Sequence, residues 1–448
     1  MKNLLNKVSL KNSKYVLALA LPVMGTQIAN TMVQLVDTMF IGRISALSLG
    51  AVALTGTLIW NIQMVSEGFA TGLTATISRR IGEKKPEKAS EFLRTGLIST
   101  IIFAFILLPI VYFGSDRLFI FIRMPADLFD MGNSYFKTFM LFLPSIYGIT
   151  AIQAAFNASG ETKTTMKVSI LMNLINIVLD WALIFGHLGF PEMGISGAAY
   201  ASGISFTFGF ITLFIISCFR EWSPLHGSIV YSVNHLKLIV KIGLPALISN
   251  MAMGISQMAV MVFAVTPLGS LSLGAFNIVM KLASVSFMPG FGFAIAAATS
   301  TGQSLGEGNP KKARTMTLIA AFYCALVMAI ISLIYFIIPD FMISLFTEDP
   351  SILKMTREAL RVYALFAVFL APAMVFGGTI KGAGDTTYAM IVMLISRFIL
   401  RLPAAWFFGI VLNGGLTGVW FAMCLDFLVR GGIMWFRFNG GKWERAVA

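Results

Sequence analysis

The sequence predicts an all-α integral membrane protein: twelve transmembrane helices in two six-helix bundles that repeat in parallel around a central cleft. Three observations carry that reading. Hydrophobic residues make up 57% of the chain and charged residues 12%, against about 25% charged in an ordinary soluble domain. Apolar runs of roughly 20 residues or more, long enough to cross a bilayer, recur down the whole chain. The two halves also match each other at an offset of about 224 residues.

The spans follow in order. The first, 15–41, comes after Lys2, Lys7, Lys11 and Lys14. A basic start before an apolar stretch also opens a signal peptide, but this stretch is too long for one and carries Asp37, so it reads as a retained helix. The second, 46–78, runs into Arg79, Arg80, Lys84, Lys85, Lys88 and Arg94. The third and fourth, 90–114 and 131–156, bring the chain back, with Lys163 and Lys167 beyond them. The fifth, 164–186, carries Asp180, and the sixth, 195–219, ends before Arg220, Lys237 and Lys241. A polar stretch from Arg220 to His235 links the halves. The second half then gives 236–265, 271–303, 313–338, 356–379, 387–411 and 415–437, with Lys311, Lys312, Arg314, Lys381, Arg437, Lys442 and Arg445 at alternate ends. Several spans exceed a straight crossing, which predicts tilts or kinks.

Roughly 22 of the 33 Lys and Arg fall on the side of the two termini, and about 7 on the other. The positive-inside rule places both termini in the cytoplasm of a multi-pass protein in the cell's inner membrane. The net charge of +13 is then an orientation signal, and no nucleic-acid partner is expected. Cys218, Cys324 and Cys424 lie inside spans without disulfide or metal spacing and read as packing residues.

The repeat is explicit. Leu21-Pro22 answers Leu244-Pro245, and Leu49-Gly50-Ala51 answers Leu273-Gly274-Ala275. The loop from Ile81 to Pro86 answers that from Leu305 to Pro310. Ser159-Gly160-Glu161-Thr162 answers Ala383-Gly384-Asp385-Thr386, and Ile195-Ser196-Gly197 answers Leu416-Thr417-Gly418. Six spans return the chain to its starting side, so both halves insert alike, related by an axis along the membrane normal. The expected lobes are 1–222 and 223–448. Two such bundles suit alternating access, which favours a carrier over a channel or receptor.

Two acids inside hydrocarbon say most about function. Asp37 and Asp180 sit in the outer half of their spans, within roughly 10 Å of the external boundary at 1.5 Å per residue. A charge at that depth costs several kcal/mol, roughly 3 on insertion scales, and is kept only where it faces a protein interior or a wet cavity. Asn176 lies one turn before Asp180, Asn30 two turns before Asp37, and Gln34 three residues before it. Such a carboxylate pair can hold a proton at neutral pH and release it on wetting, or bind Na⁺ through Asp37, Asp180 and Asn176, whose oxygens are hard ligands. The plainer alternative is two unrelated polar residues, each satisfied within its own helix surroundings. Glu67 in the second span either touches substrate, couples ions or is structural. Opposite the two acids the second half has Val260, Met261 and Pro403. It buries Lys281, Arg397, Arg401 and Arg430 with Asp426 as the lone acid, a set that reads chiefly as structural ion pairing, with a substrate role second.

No enzyme chemistry competes. His187, His226 and His235 show no metal spacing, and there is no phosphate-binding loop to drive a pump. No cofactor is expected. The 26 Met and 39 Phe would line a soft cavity suited to bulky apolar cations.

These residues resemble the multidrug and toxic compound extrusion (MATE) family along nearly the whole chain. The telling pieces are LVDTMFIG ending the first span, NLINIVLDWALIFG in the fifth, the IGEKKPEKA and LGEGNPKKA loops, and ISGAAYAS with its partner LTGVWFAM. The resemblance implies twelve helices in two lobes and cation-coupled export of drugs. Acids confined to the first lobe resemble the DinF-like branch, which implies a coupling site at Asp37, Asp180 and Asn176, an amide at Asn30 and a hinge at Pro22. Ser202 stands where relatives have a threonine. Family members with a Na⁺ site in the second lobe carry acids there that this chain lacks; Asp385 lies in a loop. The expected function is a secondary antiporter, monomeric and surrounded by lipid, that exchanges H⁺ or Na⁺ for hydrophobic or cationic drug-like compounds. A lipid-linked substrate flippase of the same superfamily and a membrane-embedded transferase are the alternatives.

Overall fold

The computed structural model describes residues 10–226 and 231–446; Lys2 and Lys7 lie outside them. Every regular element among the described residues is helical. Eleven helices are long and apolar enough to cross a membrane, and one bent pair makes a twelfth span. The all-α, twelve-span class read from hydropathy is what the structure has.

The first half runs α1 (Leu10–Ile44), α2 (Ala46–Gly82), α3 (Pro86–Phe121), α4 (Ala126–Met140), α5 (Leu143–Ser159), α6 (Thr162–Phe185) and α7 (Gly194–Cys218). The second runs α8 (Val233–Val260), α9 (Ser270–Gly306), α10 (Pro310–Ile337), the short α11 (Pro339–Ser344), α12 (Pro350–Phe366), α13 (Leu370–Gly382), α14 (Thr386–Leu394), the short α15 (Leu402–Trp406) and α16 (Gly415–Asn439). The bent span is α4 with α5, turning by 52°. Its cause is local: Pro144, near the start of α5, lacks an N–H, and the residue before a proline disfavours helix. π turns at Met261–Val265, Ile395–Arg401 and Phe407–Val411 interrupt the second half.

Loops confirm the repeat at atomic level. Ser45 caps α2 by accepting from Ser48 N, and Pro86 and Pro310 open α3 and α10 where a missing N–H costs nothing. The chain reverses before each through one left-handed residue, Gly308 (φ 71°) in one half and Lys84 (φ 58°) in the other.

Ion pairs repeat too. At one end of the helices Arg220 reaches Glu161 at 2.7 Å and Arg437 reaches Asp385 at 2.6 Å. At the other end Lys137 reaches Asp116 at 3.1 Å and Arg357 reaches Asp340 at 2.5 Å.

By proximity the chain sorts into two compact units. One runs from Gly25 to Gly243; the other takes Leu244 onward together with α1 up to Met24. The repeat boundary divides the chain by topology, whereas these units divide it by packing, and their borders run through α1 and α8 beside Pro22 and Pro245. Within the first unit Leu73, Leu93, Ile152 and Phe156 form one core, and Phe119, Phe136 and Tyr147 another. Within the second, Phe276, Tyr363 and Trp420 pack together.

Lipid tails are as apolar as leucine, so helices here associate by close packing. The glycine of each repeated motif serves that end. A Cβ on Gly197 would sit 2.6 Å from the Leu183 carbonyl oxygen, and one on Gly418 would sit 2.3 Å from that of Phe408. Gly197 thereby lets α7 lie against α6, the helix that carries Asp180.

Candidate cation-coupling site

Three positions on α6 make one polar stripe at helical spacing: Asn173, Asn176 and Asp180, which are 8%, 4% and 0% exposed. Opposite them lies α1. Asn173 Nδ2 donates to Asn30 Oδ1 at 3.1 Å, joining the two helices about two turns from the acids. Asp37 is half-buried, and its carboxyl is within electrostatic reach of that of Asp180.

The pair lacks donors. Both oxygens of Asp180 and Oδ1 of Asp37 are buried without a hydrogen-bond partner, as is Nδ2 of Asn176. Two ionised carboxylates have no proton to share, so their proximity gives repulsion and three unused acceptors. Each buried acceptor left this way costs about 1–3 kcal/mol. A proton on either acid supplies the missing donor at once. A Na⁺ ion would fit the same oxygens, which are hard ligands. Groups of three or more His, Cys, Asp or Glu that could hold a metal are absent among the described residues, so Na⁺ here would draw on the two carboxylates and amide oxygens alone.

The structure adds two residues to the expected set. Asn173 continues the 176/180 stripe one turn earlier and was legible from spacing. Tyr135, on α4, is 9% exposed and within electrostatic reach of both acids. Nothing in the sequence pointed to it, because α4 meets this site only through tertiary packing.

Other expected residues stand apart. Gln34 is exposed and contributes its carbonyl, at 2.7 Å, to Thr38 Oγ1. Ser202 is half-buried on α7. Glu67 is exposed on α2, where its carbonyl accepts from Thr71 Oγ1 at 2.9 Å. Pro22 is buried inside α1, which continues through it. In the second half Asp426 gathers Arg397 and Arg430, as expected of ion pairing, but Lys281 is not in that group; its Nζ lies 5.8 Å over the Phe346 ring.

Known transporters match this chain along nearly its whole length. The MatE family model matches residues 22–182 and again 245–407, once per repeat. A probable multidrug resistance protein NorM of Thermotoga maritima is 30% identical over 96% of this chain and 93% of its own length. The uncharacterized transporter YisQ of Bacillus subtilis is 28% identical over 91% and 90%. Among solved structures, one described as the outward-facing conformation of a multidrug resistance MATE family transporter of the MOP superfamily superposes with a TM-score of 0.90. It is 22% identical and covers 96% of each chain.

Proposed function

This chain belongs to the MATE family of membrane transporters, and on that premise we propose that it exports hydrophobic, often cationic, drug-like compounds in exchange for H⁺ or Na⁺. The chain is a transporter and not an enzyme. The observation that carries the coupling is the pair Asp37–Asp180, with three buried carboxylate oxygens that no donor serves. Such a pair pulls in a cation, which is what a coupling ion must be.

The cycle follows from that deficit. With the pair ionised, the site favours a cation arriving from outside, where the potential and the proton gradient supply it. Loading removes the repulsion between α1 and α6 and alters how the two helices pack. Release toward the cytoplasm restores the charge and resets the carrier. Proton coupling is the simpler case, since one proton converts the pair from repulsion to a hydrogen bond. Asn176 and Tyr135 can donate to the ionised form, and Asn30 with Asn173 holds the helices in register. The protein works as a monomer in the inner membrane with both termini cytoplasmic.

The test is efflux from proteoliposomes with the two gradients imposed separately. A proton gradient alone should drive uphill movement of a fluorescent organic cation, and collapse of that gradient should stop it. Equal rates with and without any cation gradient would refute coupling.

A further inference from the structure

The second half buries a polar cluster that the proposed coupling site does not include. Asp426 on α16 is its hub. Arg430 Nη2 lies 3.6 Å and Arg397 Nε 4.0 Å from Asp426 Oδ2, and Ser396 Oγ donates to Oδ1. Arg401 Nη2 donates to Gln257 Oε1 at 3.0 Å and is within electrostatic reach of Asp426 and Arg430. The three arginines and Asp426 are each at least nine-tenths buried.

Two tallies fail to balance. Three guanidinium groups face one carboxylate, and arginine does not shed its proton in a protein. An excess of positive charge at bilayer depth is costly unless something compensates it. Donors are also in surplus. Nε of Arg397, Arg401 and Arg430 are buried without an acceptor, against a single unused acceptor, Asp426 Oδ2. Arg430 Nη1 spends itself on the thioether of Met393 at 3.4 Å, and the Gln257 amide on that of Met280 at 3.3 Å. Thioethers are weak acceptors, so neither contact replaces a lost bond to water.

The backbone is unusual at the same place. Ser396, Arg397 and Arg401 all belong to the π turn Ile395–Arg401. Such turns widen the helix and cluster at functional sites. A network serving stability alone would be expected to balance its charge.

We propose that this cluster binds a small monovalent inorganic anion of the chloride class. The anion supplies the missing negative charge and accepts from the idle N–H groups of the arginines. This is the inverse of the Asp37–Asp180 site: acids stand there without donors, whereas here donors and positive charge outnumber the one carboxylate. The proposal does not depend on the coupling reading, and its test keeps Na⁺ and pH fixed so that the two are read apart.

The experiment uses the full-length protein, purified in detergent, with thermal unfolding followed by tryptophan fluorescence. Sodium gluconate is replaced by sodium chloride, bromide or sulfate at constant Na⁺ concentration and pH. Chloride and bromide should raise the midpoint by a few degrees and saturate, whereas sulfate, doubly charged and larger, should not. Line broadening of the chloride NMR signal by the protein reports binding directly. Asp426→Asn raises the positive excess and should shift half-saturation to lower chloride; Arg401→Gln should shift it about tenfold higher. Equal midpoints in chloride and gluconate, with no line broadening by the native protein, would overturn the proposal whether or not the variants fold. So would stabilisation by sulfate but not by chloride.

Discussion

Asp37 and Asp180 set the expectations at the scale of single residues. Asparagine is nearly isosteric with aspartate but cannot ionise. Asp37→Asn is expected to fold, to keep its thermal midpoint, and to drop coupled efflux to background. Wild-type efflux at equal expression would remove Asp37 from the site. If the two acids share one cation, the double variant Asp37→Asn/Asp180→Asn should be little worse than either single, whereas independent sites would give multiplicative losses. Tyr135→Phe tests the residue that only the structure revealed. If the phenol donates to the ionised pair during the cycle, removing that bond, worth roughly 1.5 kcal/mol, should slow efflux about tenfold. Lys84 offers a different check, on stability. It holds a left-handed backbone where the repeat has Gly308. Relief of that strain, less the entropy of a glycine, should make Lys84→Gly stabilising by about 0.5–1 kcal/mol in denaturant or thermal unfolding.

At the scale of elements the question is what lets α1 and α6 respond to a charge change. Proline removes the hydrogen bond to the carbonyl one turn earlier and weakens a helix at that point. Neighbouring groups in a bundle can satisfy the freed carbonyl at modest cost. Pro22, buried in the otherwise continuous α1, is therefore proposed as a hinge that bends when Asp37 is neutralised. Spin labels on the outer part of α1 and on α6 should change separation between neutral and acidic pH, and Pro22→Ala should abolish that change. Constant distances in a transport-competent protein would rule the hinge out. The α6–α7 contact gives a sharper steric case. Gly197→Leu would drive a side chain into the Leu183 carbonyl, which sits 2.6 Å from where a Cβ would lie, and should cost about 1–3 kcal/mol while displacing Asp180. Gly56→Ala in α2, with open space around it, should be neutral or mildly stabilising.

Across the whole molecule, the span count, the repeat and the acid pair were legible because each rests on local composition or on register within one helix. Asp37 and Asp180 announced themselves by charge in an apolar run and Asn176 followed by helical spacing; Asn173, one turn earlier at the same spacing, was not read from the sequence. Tyr135 did not, since only packing brings α4 to the acids. The bend between α4 and α5 and the three π turns were also unread, because each is a change of hydrogen-bond register that hydropathy does not record. The ion pairs were half readable: Asp116 and Asp340 stand at the repeat's own offset, but their partners Lys137 and Arg357 were not foreseeable without the fold. Those pairs carry an expectation of their own. Arg437 is less exposed than Arg220 and also lies over the Tyr388 ring, at 4.4 Å. Arg437→Gln should therefore destabilise by about 1 kcal/mol and Arg220→Gln by less, measured as a shift in unfolding midpoint.

The sharing of α1 between two packing units has a consequence for biosynthesis. The segment of α1 up to Met24 is made well before its packing partners, which begin at Leu244. At about 5–20 residues per second, those partners are made roughly 10–45 s later. During that interval the start of α1 waits in the membrane without its final neighbours, while the contiguous unit from Gly25 to Gly243 can already pack.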